Sequence, residues 1–75
     1  MDRVLVTGGL GIIGAFICRA LLATSRQPVI YDLSTDTGLI RDIAADCVIE
    51  TGHVCDLPRL MSAIAQHKPM AIVHL

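Results

Sequence analysis

Apolar positions along this chain fall into two patterns, short continuous runs and longer stretches in which they recur with a helical period. The short runs predict strands, because a strand covered on both faces of a parallel sheet carries few polar side chains. They span residues 3–6, 28–33, 47–51 and 70–75. Between them, helices are predicted over residues 11–24 and 57–67, with a shorter one over residues 39–45.

Alternation of strands and helices predicts an α/β fold with right-handed crossovers. We expect a Rossmann-type, doubly wound parallel sheet with strand order 3-2-1-4, incomplete at about four strands. Ligands of such sheets bind beyond the carboxyl ends of the strands, where the strand order reverses. That edge would bring together Thr7, Gly8, Asp32, the 52–56 loop and the residues after Val73.

Both long helices are predicted to be amphipathic. In the first, the expected core-facing residues are Ile13, Phe16, Ile17, Ala20 and Leu21. Its other side carries Ala15, Cys18, Arg19 and Leu22, of which one is charged, so we expect further protein to cover it, and a homo-oligomer is left open. In the second, Asp56 is the expected N-cap, and the expected apolar face consists of Leu57, Leu60, Met61, Ile64 and Ala65.

Composition narrows the class of protein. The chain has 75 residues, 53% of them hydrophobic, and a formal net charge of −1, which indicates one small globular domain and disfavours disorder and nucleic-acid binding. Three cysteines without a CxxC pair and three scattered histidines predict no metal site and favour the cytoplasm. The apolar stretch 4–23 is interrupted by glycines, Thr7 and Arg19, so no membrane or secretory segment is expected.

The strongest local signal is the glycine-rich segment after the first strand, which reads T-G-G-L-G-I-I-G from Thr7 to Gly14. Both G-x-G-x-x-G and T-G-x-x-G-x-x-G spacings are present. Glycines permit a tight turn, close approach of a pyrophosphate to the main chain, and close packing of the helix. The helix would then point its free N–H groups at the phosphates. The alternative is a turn that serves packing alone.

Asp32 ends the second predicted strand, 18 residues beyond Gly14. A carboxylate at this place can accept both hydroxyls of the adenosine ribose and would repel a 2′-phosphate, which favours NAD over NADP. The alternative is a strand-end or capping acid without a ligand. The polar residues 34–38 that follow form either a lip of the same site or a solvated loop.

These features together resemble the extended short-chain dehydrogenases/reductases, which include the NAD-dependent nucleotide-sugar epimerases and dehydratases. The resemblance rests on residues 7–14, 31–32, 52–57 and 72–75, which occur in family order along the chain. It implies that residues 1–75 are the N-terminal part of an NAD(P)-binding Rossmann domain, without the catalytic and substrate-binding portions.

The resemblance also assigns roles to single residues. Gly8, Gly11, Ile12 and Ile13 would contact the pyrophosphate, with Gly14 in the same cofactor-binding motif. Asp32 would bind the ribose. Asp56 and Leu57 would flank the adenine, with the Asp56 carboxylate accepting a hydrogen bond from the exocyclic amine. A helix cap alone is the alternative for Asp56.

The family's catalytic group, a Ser or Thr with Tyr-x-x-x-Lys, is not found in these residues. Tyr31 is the only tyrosine and is followed four residues later by Thr35, and His74 is expected to be a strand residue rather than a base. We therefore predict no catalytic residue here. The resemblance implies an NAD-binding segment of an oxidoreductase that acts on a nucleotide sugar by transient hydride transfer to NAD. A truncated, non-catalytic nucleotide-binding or interaction module is the alternative.

Overall fold

The computed structural model describes all residues 1–75 and confirms a four-stranded parallel sheet with the predicted order 3-2-1-4. The strands are β1 (Asp2–Thr7), β2 (Arg26–Asp32), β3 (Val48–Thr51) and β4 (Ala71–His74). Two α-helices, α1 (Ile12–Ala23) and α2 (Leu57–His67), connect them, together with 3₁₀ turns at Gly38–Ile40 and Ala44–Asp46. Neither α-helix is both long and apolar enough to cross a membrane.

The central strands β1 and β2 form the core, and alternate residues face opposite sides of the sheet. Val4, Val6 and Ile30 lie on the side of α1. Leu5 and Tyr31 lie on the other side, where Ala63 of α2 packs against them. Because both faces of β1 and β2 are covered, their apolar runs are nearly continuous in sequence, as the strand prediction assumed.

The predicted core face of α1 is wrong for three of its residues. Ile13 and Phe16 are 67% and 72% exposed and Ala20 is also exposed, whereas Ile17 and Leu21 pack partly against the core. The buried residues are Gly14, Ala15 and Cys18. This small-residue face turns inward because the helix approaches the main chain of residues 8–9 so closely that Gly14 has no room for a side chain.

Helix α2 begins as predicted, since the Asp56 side chain accepts a hydrogen bond from the Arg59 N–H. Its predicted apolar face is partly wrong. Ala63 is buried and Leu60 and Ile64 pack against the core, but Leu57 and Met61 are 60% and 57% exposed and Ala65 is exposed. A short helix packed on one sheet face buries a narrower stripe than the five residues that the helical period selects.

The predicted helix over residues 39–45 is replaced by the two 3₁₀ turns. In an α-helix the Leu39 carbonyl would accept a hydrogen bond from the Ile43 N–H. Here the Arg19 guanidinium donates to the Leu39 carbonyl at 2.8 Å, and the Ile43 N–H donates to the Ile40 carbonyl instead. A long-range side chain therefore displaces a local helical bond. Strand β2 also begins two residues earlier than predicted, after Ser25 takes the turn with φ of 60°.

An ionic cluster connects α2 to β3. Glu50 accepts hydrogen bonds from His67 and from Arg59, each at 2.7 Å. These two hydrogen bonds hold the pKa of Glu50 below its ordinary value of 4.5. A carboxylate with a lowered pKa in the folded state adds stability above its unfolded pKa and loses it as the pH falls through the folded pKa.

We therefore expect the Glu50→Gln variant to be less stable than the wild type at pH 7 and to lose less stability on acidification below about pH 4.5. Urea unfolding followed by circular dichroism at a series of pH values measures this difference. Asp2→Asn is the matched control, since Asp2 is exposed at the start of β1 and forms no ion pair. Equal acid sensitivity of Glu50→Gln and wild type would contradict the role of this cluster.

Candidate functional site

The glycine-rich segment forms a tight turn between β1 and α1. Gly8 has φ of 73°, a conformation that residues with a side chain rarely adopt, and its N–H donates to the Tyr31 carbonyl at 3.0 Å. The Gly11 N–H then donates to the Gly8 carbonyl at 3.2 Å. The turn thus continues the hydrogen bonding of β1 to β2 before the chain enters the helix.

The first turn of α1 is open to solvent. Gly11 is the N-cap and no side chain caps the helix, while Ile12 and Ile13 are exposed. A Cβ at Gly11 would meet nothing closer than the Gly8 carbonyl at 3.5 Å. Free N–H groups at a helix start carry the positive end of the helix dipole, so this turn is suited to an anion.

Gly14 plays a different part from Gly11. A Cβ at Gly14 would lie 2.5 Å from both the Gly8 carbonyl oxygen and the Gly9 Cα, which are main-chain atoms that cannot move aside. Gly14 is therefore required for packing of the helix against the turn, whereas Gly11 leaves space on the outer side.

A cleft of about 390 Å³ lies beside this turn at the carboxyl edge of the sheet. It is lined by Gly8, Leu10, Gly11, Asp32, Ser34, Asp36 and Leu39. A second cleft of about 170 Å³ shares Gly8 and Asp32 and extends toward the loop after β3. The predicted glycines and the predicted acid thus lie around one continuous edge.

Asp32 joins the two loops that border the cleft. One carboxylate oxygen accepts from the Leu10 N–H at 3.1 Å and the other from the Ser34 N–H at 3.0 Å. The side chain is half-buried. An ionised carboxylate has about four acceptor positions, so two remain for hydroxyl donors in the cleft. The strand-end role and the ligand role of this acid are therefore compatible.

Tyr31 connects the second cleft to the core. Its hydroxyl donates to the His53 carbonyl at 2.9 Å, and its fully buried ring lies where a Cβ at Gly52 would collide with the hydroxyl. Burial raises the pKa of Tyr31, and the Asp56 carboxylate raises it further. The phenol therefore stays protonated at neutral pH and acts as a structural donor.

Comparison with known proteins agrees with this geometry. Residues 4–75 match the model of the NAD dependent epimerase/dehydratase family. The chain belongs to this family. The resemblance to extended short-chain dehydrogenases/reductases that the motifs indicated is confirmed.

Two curated members of the epimerase/dehydratase family illustrate the similarity. The chain is 38% identical over 73 residues to a UDP-glucose 4-epimerase of Rhizobium meliloti (strain 1021), a match that covers 97% of this chain and 22% of the relative. It is 35% identical over 80 residues to dTDP-glucose 4,6-dehydratase 1 of Escherichia coli (strain K12), again with 97% of this chain and 22% of the relative. The chain thus spans little more than a fifth of these relatives.

A solved structure of a family member has the same fold as this chain. The UDP-glucose 4-epimerase from Brucella ovis, in complex with NAD, superposes with a TM-score of 0.87 at 27% identity. The match covers 100% of this chain and 22% of that protein. The similarity in fold therefore extends over the whole of this chain.

Five of the eight predicted site residues line neither cleft: Ile12, Ile13 and Gly14 lie in the first turn of α1, and Asp56 and Leu57 lie at the start of α2. Asp56 and Leu57 are exposed and line neither cleft. One Asp56 carboxylate oxygen accepts from the Arg59 N–H at 3.2 Å, so the helix-cap role is confirmed. Contact of Asp56 and Leu57 with an adenine stays a prediction.

The end of β4 is bonded to the start of the glycine-rich turn. Thr7, which is buried, forms a 2.7 Å hydrogen bond with Nδ1 of His74, and its hydroxyl oxygen accepts from the Leu75 N–H at 3.1 Å. His74 is a strand residue, as expected, with its ring engaged by Thr7. This pair fixes the carboxyl ends of β1 and β4 next to each other.

Two leucines of the larger cleft, Leu10 and Leu39, were not predicted from the sequence. The Leu10 N–H bonds to Asp32 although the Leu10 side chain is buried in the core, and Leu39 lines the larger cleft. No sequence signal separates buried Leu10 from Ile12 and Ile13, which also adjoin glycines but are exposed. No local pattern marked Leu39, whose place depends on the bond from Arg19.

Proposed function

We propose that this chain binds NAD and forms the cofactor-binding segment of an epimerase/dehydratase-like oxidoreductase. The observation that carries the proposal is the uncapped start of α1, which opens on the same cleft as the half-buried Asp32. Main-chain donors for two phosphates and an acceptor for ribose hydroxyls thus lie side by side. The Brucella ovis relative, described in complex with NAD, supports the same assignment.

Each predicted residue has a role that its position allows. The free N–H groups of Ile12, Ile13 and Gly14 at the start of α1 would hold the pyrophosphate. Gly8 and Gly11, whose N–H groups bond to the Tyr31 and Gly8 carbonyls, would contact it through main chain that carries no side chain. Asp32 would accept from the ribose hydroxyls with its remaining acceptor positions. Asp56 uses one oxygen as helix cap, so its other oxygen would accept from the adenine amine, with Leu57 beside the ring.

The reaction of the whole enzyme is part of this proposal. We infer that residues 1–75 form the N-terminal part of a Rossmann domain, which agrees with the 22% of each relative that the match covers. When bound, NAD accepts a hydride from a carbon of the substrate. The relatives' names make a nucleotide sugar the proposed substrate. Three free cysteines agree with a cytoplasmic location.

A second candidate is a non-catalytic nucleotide-binding or interaction module. Ile12, Ile13 and Phe16 form an exposed apolar face on α1, which suits contact with other protein. A nucleotide-binding module would bind NAD without turnover, and an interaction module would not bind it. Because residues 1–75 are predicted to hold no catalytic residue, the decisive assay uses the full-length gene product that contains them, and its conversion of UDP-glucose in the presence of NAD would exclude the non-catalytic candidate.

NAD binding is tested by thermal unfolding of the folded chain with and without NAD, followed by circular dichroism. A ligand at a hundredfold excess over its Kd adds about 2.7 kcal/mol to the stability of the folded state, so Tm should rise by about 10 °C or more. Gly11→Val is the matched control, because its side chain would meet the phosphates but little protein. A cooperatively folded wild type whose Tm does not respond to NAD would contradict the proposal.

A further inference from the structure

The loop after β2 contributes a second acidic side chain to the larger cleft. Asp36 lines it together with Gly8, Gly11 and Asp32. The first predicted task of Asp32 is to accept ribose hydroxyls and repel a 2′-phosphate. Asp36 carries the same charge and lines the same cleft.

Asp36 is held in place by three hydrogen bonds that follow one another along the loop. The Ser34 N–H donates to Asp32 at 3.0 Å, the Asp36 N–H donates to the Ser34 hydroxyl at 3.0 Å, and the Gly38 N–H donates to Oδ1 of Asp36 at 2.9 Å. The position of Asp36 therefore depends on that of Asp32. Its Oδ2 makes no hydrogen bond within the chain, which leaves that oxygen for the cleft.

No cationic side chain lines the cleft beside these two acids. Asp32 and Asp36 are the charged residues that line the cleft. Arg19 of α1 donates to the carbonyl of Leu39, a lining residue, at 2.8 Å, but its guanidinium is paired with Asp42 at 2.6 Å, so its charge is already offset by a carboxylate. An anion in this cleft would meet the negative charge of both acids and no cationic side chain of the lining.

We propose that Asp36 is a second specificity-determining residue, which acts with Asp32 to exclude dinucleotides that carry a 2′-phosphate. This inference rests on the proposed NAD site and adds a residue to its selectivity. Asp32 selects for the ribose hydroxyls by hydrogen bonding and charge. Asp36 acts by charge alone, so its contribution depends on ionic strength.

The test compares the Kd values of NAD and NADP by isothermal titration calorimetry for wild type and Asp36→Asn. Asparagine keeps the oxygen that accepts from Gly38, so the loop conformation is retained. A unit charge about 6 Å from a phosphate in water corresponds to about a threefold to tenfold effect on affinity. We expect Asp36→Asn to tighten NADP binding by that factor and to leave NAD affinity within about twofold.

The matched control is Asp46→Asn, which removes the same charge from an exposed residue that lines neither cleft. It should leave the ratio of NADP to NAD affinity unchanged. Raising the salt concentration should bring the wild-type ratio closer to that of Asp36→Asn, since salt screens the repulsion.

Three outcomes would overturn the inference. An unchanged ratio in Asp36→Asn means that Asp36 does not face the 2′-position. An equal change in Asp46→Asn means that net charge is the cause. A wild type that binds neither dinucleotide refutes the proposed NAD site itself, and the inference with it, whereas NAD binding with an unchanged ratio refutes the role of Asp36 alone.

Discussion

Replacing Gly14 with alanine should destabilise the fold by about 3 kcal/mol or more and abolish NAD binding. The added Cβ would lie 2.5 Å from the Gly8 carbonyl oxygen and the Gly9 Cα, so the helix or the turn has to move. Urea unfolding gives the loss of stability, and calorimetry gives the loss of affinity. For a domain of this size the same change corresponds to a fall in Tm of about 10 °C or more.

The Gly11→Ala variant should weaken NAD binding without lowering the stability of the fold. Its Cβ would come no closer than 3.5 Å to the Gly8 carbonyl, so stability should change little. The added methyl group would lie between the main chain and the phosphates and would therefore weaken NAD binding. Equal stability of Gly14→Ala and Gly11→Ala would show that the helix does not pack on the turn as described.

Replacing Asp32 with alanine should weaken NAD binding by about tenfold to a hundredfold, because hydrogen bonds to a charged group contribute about 1.5–3 kcal/mol. NADP should lose less affinity than NAD, since removal of the carboxylate also removes a repulsion. Calorimetry with both dinucleotides measures the two changes. Equal loss of NAD and NADP would mean that Asp32 does not contact the ribose.

Asp32→Asn is the control for the structural part of this residue. Its amide oxygen can still accept from the Leu10 N–H, which Asp32 holds at 3.1 Å, while the charge is gone. If Asp32→Asn binds NAD like the wild type and Asp32→Ala does not, the residue acts by positioning the glycine-rich turn. Intermediate affinity of Asp32→Asn assigns the remaining effect to charge.

The sequence was sufficient for the sheet but not for the helix orientations. Strand order follows from the alternation of apolar runs and helices, and chirality rules leave few arrangements for four strands. Rotation of α1 depends on Gly14, whose close contact with the turn outweighs the larger apolar residues Ile13 and Phe16. A hydrophobic period alone gives a helix two candidate faces when both are apolar.

The glycines and Asp32 of the candidate site were recognisable because their spacing is local. The long-range hydrogen bonds could not be recognised from the sequence. The bond from Arg19 to the Leu39 carbonyl spans 20 positions, and that from the Leu10 N–H to Asp32 spans 22. Neither residue type indicates its partner before the chain is folded. Their effects are a helix replaced by 3₁₀ turns and a glycine-rich turn bonded to Asp32.

Tyr31 forms hydrogen bonds through both its main-chain carbonyl and its side-chain hydroxyl. Its carbonyl receives the Gly8 N–H on one side of the sheet edge, and its hydroxyl reaches the His53 carbonyl beneath Gly52. A larger residue at position 52 would push on the ring and, through it, on the strand that holds the turn. Among homologous sequences, positions 31 and 52 should therefore vary together, with glycine at 52 wherever a tyrosine stands at 31 and wider choice where residue 31 is small.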